Sequence, residues 1–495
     1  VQGLKQKALS GVRWTTVNSI GTALITFMEL VILGRLLGPE VFGVMAMVTI
    51  VLEYSNIFAN FGLSDAIIQR KNNKREVLTT LYWVNVAIGF ILFVIIILLT
   101  PFIAKGFGVN VLNFLLPVTS FAFVISSFGV QFQTLLRKIL RFDILAKANI
   151  ISVLLGFFVA VASAWNGYGV WALVGGYLTR IFSRTIFFVI WGLRSTFRPG
   201  LYFRWDDDVQ DYLGFGLYRM GAMIANEFNS RVDQLLIGVM MGPLALGYYN
   251  FAFRLVFQPI QMLNPILTQI ALPVFSIVQD NTDRLRRGFL KMSQLLMSVN
   301  SPILIGLAAI SPVAVPLFFG EKWVPAVPLV QVIAFYSLIR SLGNAGGTLV
   351  IAKGKANWAL YWNIVLTLII AVVVYAASLG GKTIHIAFAL VGMQFIFFFC
   401  FYHVFIRVLI GPCFPEYVKA VGTSIMLAIV MGIIVTLFSL MLEIPPTAKL
   451  LFQVFMGAII YVMLCHHFQR DVYIEFINLF AMWRHPRQFK RQESD

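Results

Sequence analysis

The stretch "ELVILGRLLGPEVFG", residues 29–43, returns without a gap 204 positions later as "DQLLIGVMMGPLALG", residues 233–247. Glu29, Gly34, Gly38, Pro39 and Gly43 align with Asp233, Gly238, Gly242, Pro243 and Gly247. At ordinary glycine and proline frequencies, three glycines and a proline meet in one fixed frame about once in 10⁵ trials, or roughly once in a hundred over a few hundred frames. The recurrence suggests an internal duplication.

What surrounds the two copies defines the medium. The chain has 495 residues, 59% hydrophobic and only 12% charged, with a mean hydropathy of +0.85. A water-soluble core cannot absorb that much apolar surface, so the sequence reads as an all-α polytopic membrane protein. Runs of about 20 apolar residues, enough to cross about 30 Å of hydrocarbon as helices, fall near 12–36, 40–62, 77–103, 111–134, 145–165, 168–192 and 211–241. Seven more fall near 244–276, 288–317, 325–351, 357–379, 383–406, 418–442 and 447–468. Fourteen spans are therefore expected, with kinks where prolines interrupt them, as at Pro259 and Pro265 or Pro302 and Pro312. Lys5, Lys7 and Arg13 precede the first apolar run as in a signal peptide. That run continues too far and lacks a small-residue cleavage site, so an attached anchor is expected.

Charge tests the count independently. The net charge of +17 need not mean nucleic acid, whose binding requires a basic face exposed to water. Here the basic residues cluster in short segments between apolar runs. Segments on the N-terminal side of the membrane hold 27 Lys and Arg, those on the other side 5 (Arg35, Lys105, Lys322, Lys382 and Lys449). Because basic residues concentrate in cytoplasmic loops, both termini are expected in the cytoplasm.

The repeated motif then closes one span and opens the next on the outer side: a glycine stop, a proline at the turn, a new helix. Six spans separate the copies, so both halves enter with the same orientation and form a parallel repeat. The expected organisation is an N-terminal lobe at 1–192, a cytoplasmic inter-lobe loop at 193–210, a C-terminal lobe at 211–410, two appended spans within 411–468, and a basic amphipathic tail at 469–495 suited to an anionic leaflet.

Six arginines remain inside the expected spans: Arg180, Arg184, Arg219, Arg231, Arg254 and Arg340. Each costs at least ~2.5 kcal/mol to insert, so such groups face a partner or a water-filled cavity. Guanidinium forks suit phosphate and carboxylate. Arg180 and Arg184 share a face of span 6; Arg219 lies ~12 Å into span 7 and Arg254 ~15 Å into span 8. Arg180, Arg184, Arg219, Arg254 and Arg340 are therefore candidates for an anion-binding cavity, while Glu227 and Arg231, four apart on span 7, read as a structural pair. Among the acids within spans, Glu53, ~20 Å into span 2, is the better candidate for H⁺ or Na⁺ coupling. Glu29 and Asp233 are weaker ones, because Arg35 and Arg231 lie close enough in sequence to neutralise them. Gly34, Gly38, Pro39, Gly238, Gly242 and Pro243 are the lobe-turn residues.

Catalytic and metal chemistry find little support. "WDDD" at 205–208 is similar to the acidic cluster with which some glycosyltransferases hold a metal. It directly precedes span 7, where carboxylates favour a helix N-terminus, and no domain surrounds it. Cys400, Cys413 and Cys465 show neither a paired framework nor a CxxC spacing, and the five histidines show no ligand pattern. No metal and no organic cofactor are expected.

Several stretches now carry a family likeness: "FGLSDAIIQRK" at 61–71, "LLRKILRF" at 135–142, "GVWALVGGYL" at 169–178, "RVDQLLIGVMMGPLALGYYNFAFRL" at 231–255, "NPILTQIALPVFSIVQDNTDRLRR" at 264–287 and "PLFFGEKWVPAVPLVQVIAF" at 316–335. Together they resemble the polysaccharide-transport branch of the multidrug/oligosaccharidyl-lipid/polysaccharide exporter superfamily, nearest its Wzx-type flippases for colanic acid and exopolysaccharide. The resemblance implies two six-helix lobes forming a V around a central cavity, alternating access, and a place in the bacterial inner membrane. It also implies a substrate, an oligosaccharide repeat unit on undecaprenyl pyrophosphate, and a monomer working beside polymerase or synthase machinery. Two alternatives share the fold: a peptidoglycan-precursor flippase, and a cation-coupled multidrug exporter, which would favour acids over arginines in its cavity. A membrane glycosyltransferase, polymerase or ligase would need a substantial outer loop, and every outer loop expected here is short.

Overall fold

The computed structural model describes residues 2–60, 62–70, 74–194 and 197–474. Among these the chain is helical throughout and contains no strand. In order the helices are α1 (Gln2–Leu36), α2 (Pro39–Asn60), α3 (Leu63–Gln69), α4 (Arg75–Phe107), α5 (Leu112–Lys138), α6 (Phe142–Trp165), α7 (Val170–Arg194) and α8 (Asp207–Ile277). There follow α9 (Thr282–Phe319), α10 (Val327–Ser341), α11 (Gly343–Ala352), α12 (Ala356–Ser378), α13 (Thr383–Phe401), α14 (Arg407–Ile410), α15 (Phe414–Met441) and α16 (Pro446–Phe468). The amphipathic tail expected at 469–495 lies almost wholly outside the described residues, which stop at 474.

Thirteen helical segments among the described residues are long and apolar enough to cross a membrane, one fewer than expected. The difference lies in α8. Its 71 residues would reach about 107 Å if straight, far more than one crossing of about 30 Å requires. At Gly242 the backbone takes φ 80°, ψ −176°, a region essentially closed to residues with a Cβ. Beyond it the chain folds back: the Tyr249 hydroxyl donates to Asp233 Oδ2 at 2.6 Å and Asn250 Nδ2 donates to Gln234 Oε1 at 2.8 Å. Those partners are 16 residues apart and would stand about 24 Å apart along one straight helix. α8 is a helical hairpin whose arms match the two spans read at 211–241 and 244–276.

The first copy of the motif turns differently. α1 ends at Leu36 and α2 starts on Pro39, whose missing N–H costs nothing in a first helical turn. Gly38 needs no positive φ. The expectation that both glycines end their helices in the same way therefore holds only for Gly242.

The two turns also pack on each other. A Cβ added at Gly43 would fall on the carbonyl oxygen of Pro243, and one added at Gly247 on the carbonyl oxygen of Pro39, each far inside van der Waals contact. The contact is reciprocal, position for position, which relates the two copies locally by a pseudo-two-fold. Nothing lies within 4 Å of a Cβ built at Gly38.

Contacts divide the chain into two compact units, Val1–Phe251 with Leu360–Thr383, and Ala252–Ala359 with Ile384–Asp495. The sequence divides it by repeat, at the loop 193–210; contacts divide it just after the second turn, which packs on the first. In the first unit the loop before α8 is strapped across the end of α4: Trp83 Nε1 donates to the Gly200 carbonyl at 2.8 Å, and Arg204 pairs with Glu76 at 2.6 Å. "WDDD" acts as a helix start, with Asp206 Oδ1 accepting from the Val209 amide at 3.0 Å. Lys74 Nζ meets Asp208 at 2.6 Å, and this hydrogen bond holds the Asp208 carboxyl below the ordinary carboxylate range and pushes the Lys74 ammonium up. Beneath the strap, Phe132, Leu136, Phe188, Phe197 and Tyr212 form an apolar core.

In the second unit α9 packs against α10 and α15. The Ser298 and Ser424 hydroxyls lie 3.0 Å apart, and the Tyr461 hydroxyl donates to the Ser298 carbonyl at 3.0 Å. Cys400, Cys413 and Cys465 are free thiols.

Candidate functional site

Inside the first unit, α7 carries Arg180 and Arg184 on one face, four residues apart. Arg180 Nη2 donates to Glu29 Oε2 of α1 at 2.6 Å; side-chain exposures of 28% and 16% put the pair largely out of solvent. Its Nε is buried and meets no acceptor among the described residues. Arg184, half-buried, has no acidic partner among the described residues and lies within electrostatic range of Arg180, Arg137 and Tyr177. Three guanidinium groups thus gather in this unit, and Glu29 is the carboxylate that Arg180 holds.

Further charges of this unit lie on the first arm of α8. Arg231 bonds Glu227 on its own helix, and its Nη2 stands 3.9 Å from Glu53 Oε1 of α2. Asp233 is buried and accepts from Tyr249. The partner of Glu29 lies 151 residues away, beyond the reach of any local sequence pattern. Arg219 lies on the first arm of α8, and its side chain lies outside the described residues.

Arg254 and Arg340 belong to the second unit, where Arg340 borders a cavity of about 360 Å³. Phe257, Gln261 and Asn264 of α8 line it from one side; Ser337 and Arg340 of α10 and Asn344 of α11 line it from the other. The Arg340 guanidinium lies 5.6 Å from the Phe257 ring centre and 5.8 Å from that of Tyr336, and Nη1 donates to the Tyr336 hydroxyl at 3.0 Å. Stacking on two rings keeps a guanidinium ordered inside an apolar helix. Arg254 precedes Phe257 by three residues, hence on the same face of α8. The structure so places the candidate arginines in two groups, Arg180 and Arg184 in one unit, Arg254 and Arg340 in the other.

Sequence reasoning overlooked the neutral groups of the cavity. Gln261 and Asn264 follow Phe257 at helical spacing, and Asn344 follows Arg340 by four; that alignment was the available signal. It also left Gly43 and Gly247 out of the turn residues, although they complete both copies of the motif.

Many apolar helices with guanidinium groups held inside them define a multi-pass membrane protein with polar interior sites. The arrangement of helices is that of a solved lipid II flippase, MurJ, in an inward closed conformation, which matches with a TM-score of 0.75 over 93% of this chain and 99% of that one at 13% identity. The chain belongs to the polysaccharide biosynthesis protein family, whose model matches residues 32–328. It is 31% identical to the lipopolysaccharide biosynthesis protein WzxC of Escherichia coli (strain K12), over 84% of each chain. It is 30% identical to the teichuronic acid biosynthesis protein TuaB of Bacillus subtilis (strain 168), over 78% of this chain and 79% of that one. The resemblance read from the sequence stretches is thus borne out.

Proposed function

We propose that the protein is a flippase. It carries an oligosaccharide repeat unit on undecaprenyl pyrophosphate from the inner to the outer leaflet of the bacterial cytoplasmic membrane, for assembly of an exopolysaccharide or O-antigen-type polymer. The observation that carries the reading is Arg184, a half-buried guanidinium in a spanning helix with no acidic partner among the described residues, one helical turn from Arg180. A membrane guanidinium without a counter-charge is costly unless it awaits an anion, and the diphosphate of a lipid-linked glycan supplies one while the polyprenyl tail stays in the bilayer. Membership of a polysaccharide biosynthesis family supports the same substrate class. The protein acts as a transporter, moving the head group without making or breaking a covalent bond, and Glu53 remains the place where H⁺ or Na⁺ would couple. The N-terminal end of α1 and the C-terminal end of α16 face the cytoplasm.

The test is the sidedness of undecaprenyl-pyrophosphate glycans in cells depleted of the protein, read with a membrane-impermeant enzyme that attacks outward-facing heads. Inward accumulation is expected, reversed by the wild-type chain and not by Arg184→Ala inserted at equal level. Unchanged sidedness together with build-up of cationic dyes would instead identify a drug exporter.

A further inference from the structure

We propose that the cavity between α8, α10 and α11 is a saccharide subsite that takes a sugar ring bearing one carboxylate, with Arg340 on the acid and Gln261, Asn344 and Ser337 on the ring hydroxyls. The inference rests on the flippase reading and names which part of the substrate this cavity meets.

Three observations carry it. Arg340 is the single charged group among the described lining residues. A diphosphate carries more negative charge than one guanidinium offsets, whereas a carboxylate matches it one to one and fits its fork. Two further polar groups are neutral and open to a ligand: the exposed side chains of Gln261 and Asn344 make no hydrogen bond among the described residues. The Ser337 hydroxyl, 1% exposed, likewise has none. A buried hydroxyl without a partner costs about 1–3 kcal/mol, a cost removed when a ligand completes it. Amides and hydroxyls that donate and accept from one small group are the complement of a polyol, each of whose hydroxyls does both.

The third observation is the aromatic wall. Phe257, held between Phe253 at 4.1 Å between ring centres and the Arg340 guanidinium, forms one side of the cavity, giving an apolar ring edge beside the charge for the C–H groups of a pyranose. The volume, about 360 Å³, lies at the small end of ligand pockets, which start near about 300 Å³; it fits one part of a head group rather than a whole repeat unit.

The experiment uses the full chain in lipid nanodiscs and saturation-transfer NMR with three probes: methyl glucuronide, methyl glucoside and inorganic pyrophosphate. The glucuronide is expected to receive saturation, the glucoside to bind about ten- to a hundredfold more weakly through loss of one charge-assisted pair, and pyrophosphate to leave the glucuronide signal unchanged. Arg340→Gln and Asn344→Leu should each abolish the signal; Asn344 is exposed, so the second variant keeps the test open if the first fails to fold. Displacement by pyrophosphate would reassign the cavity to the diphosphate and overturn the proposal. Equal binding of glucoside and glucuronide, or unchanged binding by both variants, would overturn it too. If depletion reverses glycan sidedness in cells while the glucuronide does not bind, the subsite falls and the flippase reading stands. If depletion leaves sidedness unchanged, the flippase reading falls with it.

Discussion

Arg180 and Glu29 pair across two helices of the first unit. The carboxylate neutralises one edge of the guanidinium, at 2.6 Å from Nη2, while the buried Nε meets no acceptor among the described residues. Removing one partner of such a pair strands the other charge, at a cost of about 3–5 kcal/mol, whereas removing both is far milder. Arg180→Gln should therefore lower the unfolding temperature of the purified protein strongly, Glu29→Gln likewise, and the double variant should recover most of the loss. Additive losses in that cycle would mean the two groups do not interact. Export by the double variant then separates the roles: a folded chain that no longer exports shows that the guanidinium serves the substrate as well as Glu29. From the sequence, the placement of Arg180 and Arg184 on one face followed from their spacing of four. The partner did not, because α1 reaches α7 by packing on α6, which packs on α7 in turn, and no local pattern records that arrangement.

At the scale of the helix turn, two stretches with one spacing have become two different structures. Gly242 adopts a backbone closed to other residues; Gly38 does not, and proline at the start of α2 makes that turn instead. What the copies share is the later glycine, since Gly43 and Gly247 each bring a backbone carbonyl of the other copy where a side chain would stand. Gly43→Val and Gly247→Val should therefore force the turns apart and abolish export in cells, with inserted protein still present. Gly38→Ala, which meets nothing within 4 Å, should be close to wild type. Export by Gly43→Val at wild-type rate would show that the turns need not touch. The repeat was legible because glycine and proline are rare enough to align by eye; which glycine does what was not, because spacing carries no φ and no neighbour.

For the molecule as a whole, the count of crossings and the sidedness of the loops are one question. Hydropathy along the described helices gives thirteen spanning segments, an odd number, which would leave the two ends of the chain on opposite sides. The bias of basic residues demands the same side for both. The hairpin at Gly242 would reconcile them: the bond between Tyr249 and Asp233 requires that the chain turn back there, and two crossings by the arms of α8 in place of one would restore an even count. Single cysteines in a chain with Cys400, Cys413 and Cys465 replaced by serine would test this with a membrane-impermeant thiol reagent. Glu40→Cys and Leu244→Cys, at exposed positions just past the two turns, should both label in spheroplasts. Leu201→Cys, 94% exposed in the strap before α8, should label only after permeabilisation. If the cysteine at 244 shared the behaviour of the one at 201, α8 would not return across the membrane and the parallel repeat would lose its basis. If all three labelled from outside, the basic loops would face outward, and the substrate would have to be collected from the opposite leaflet.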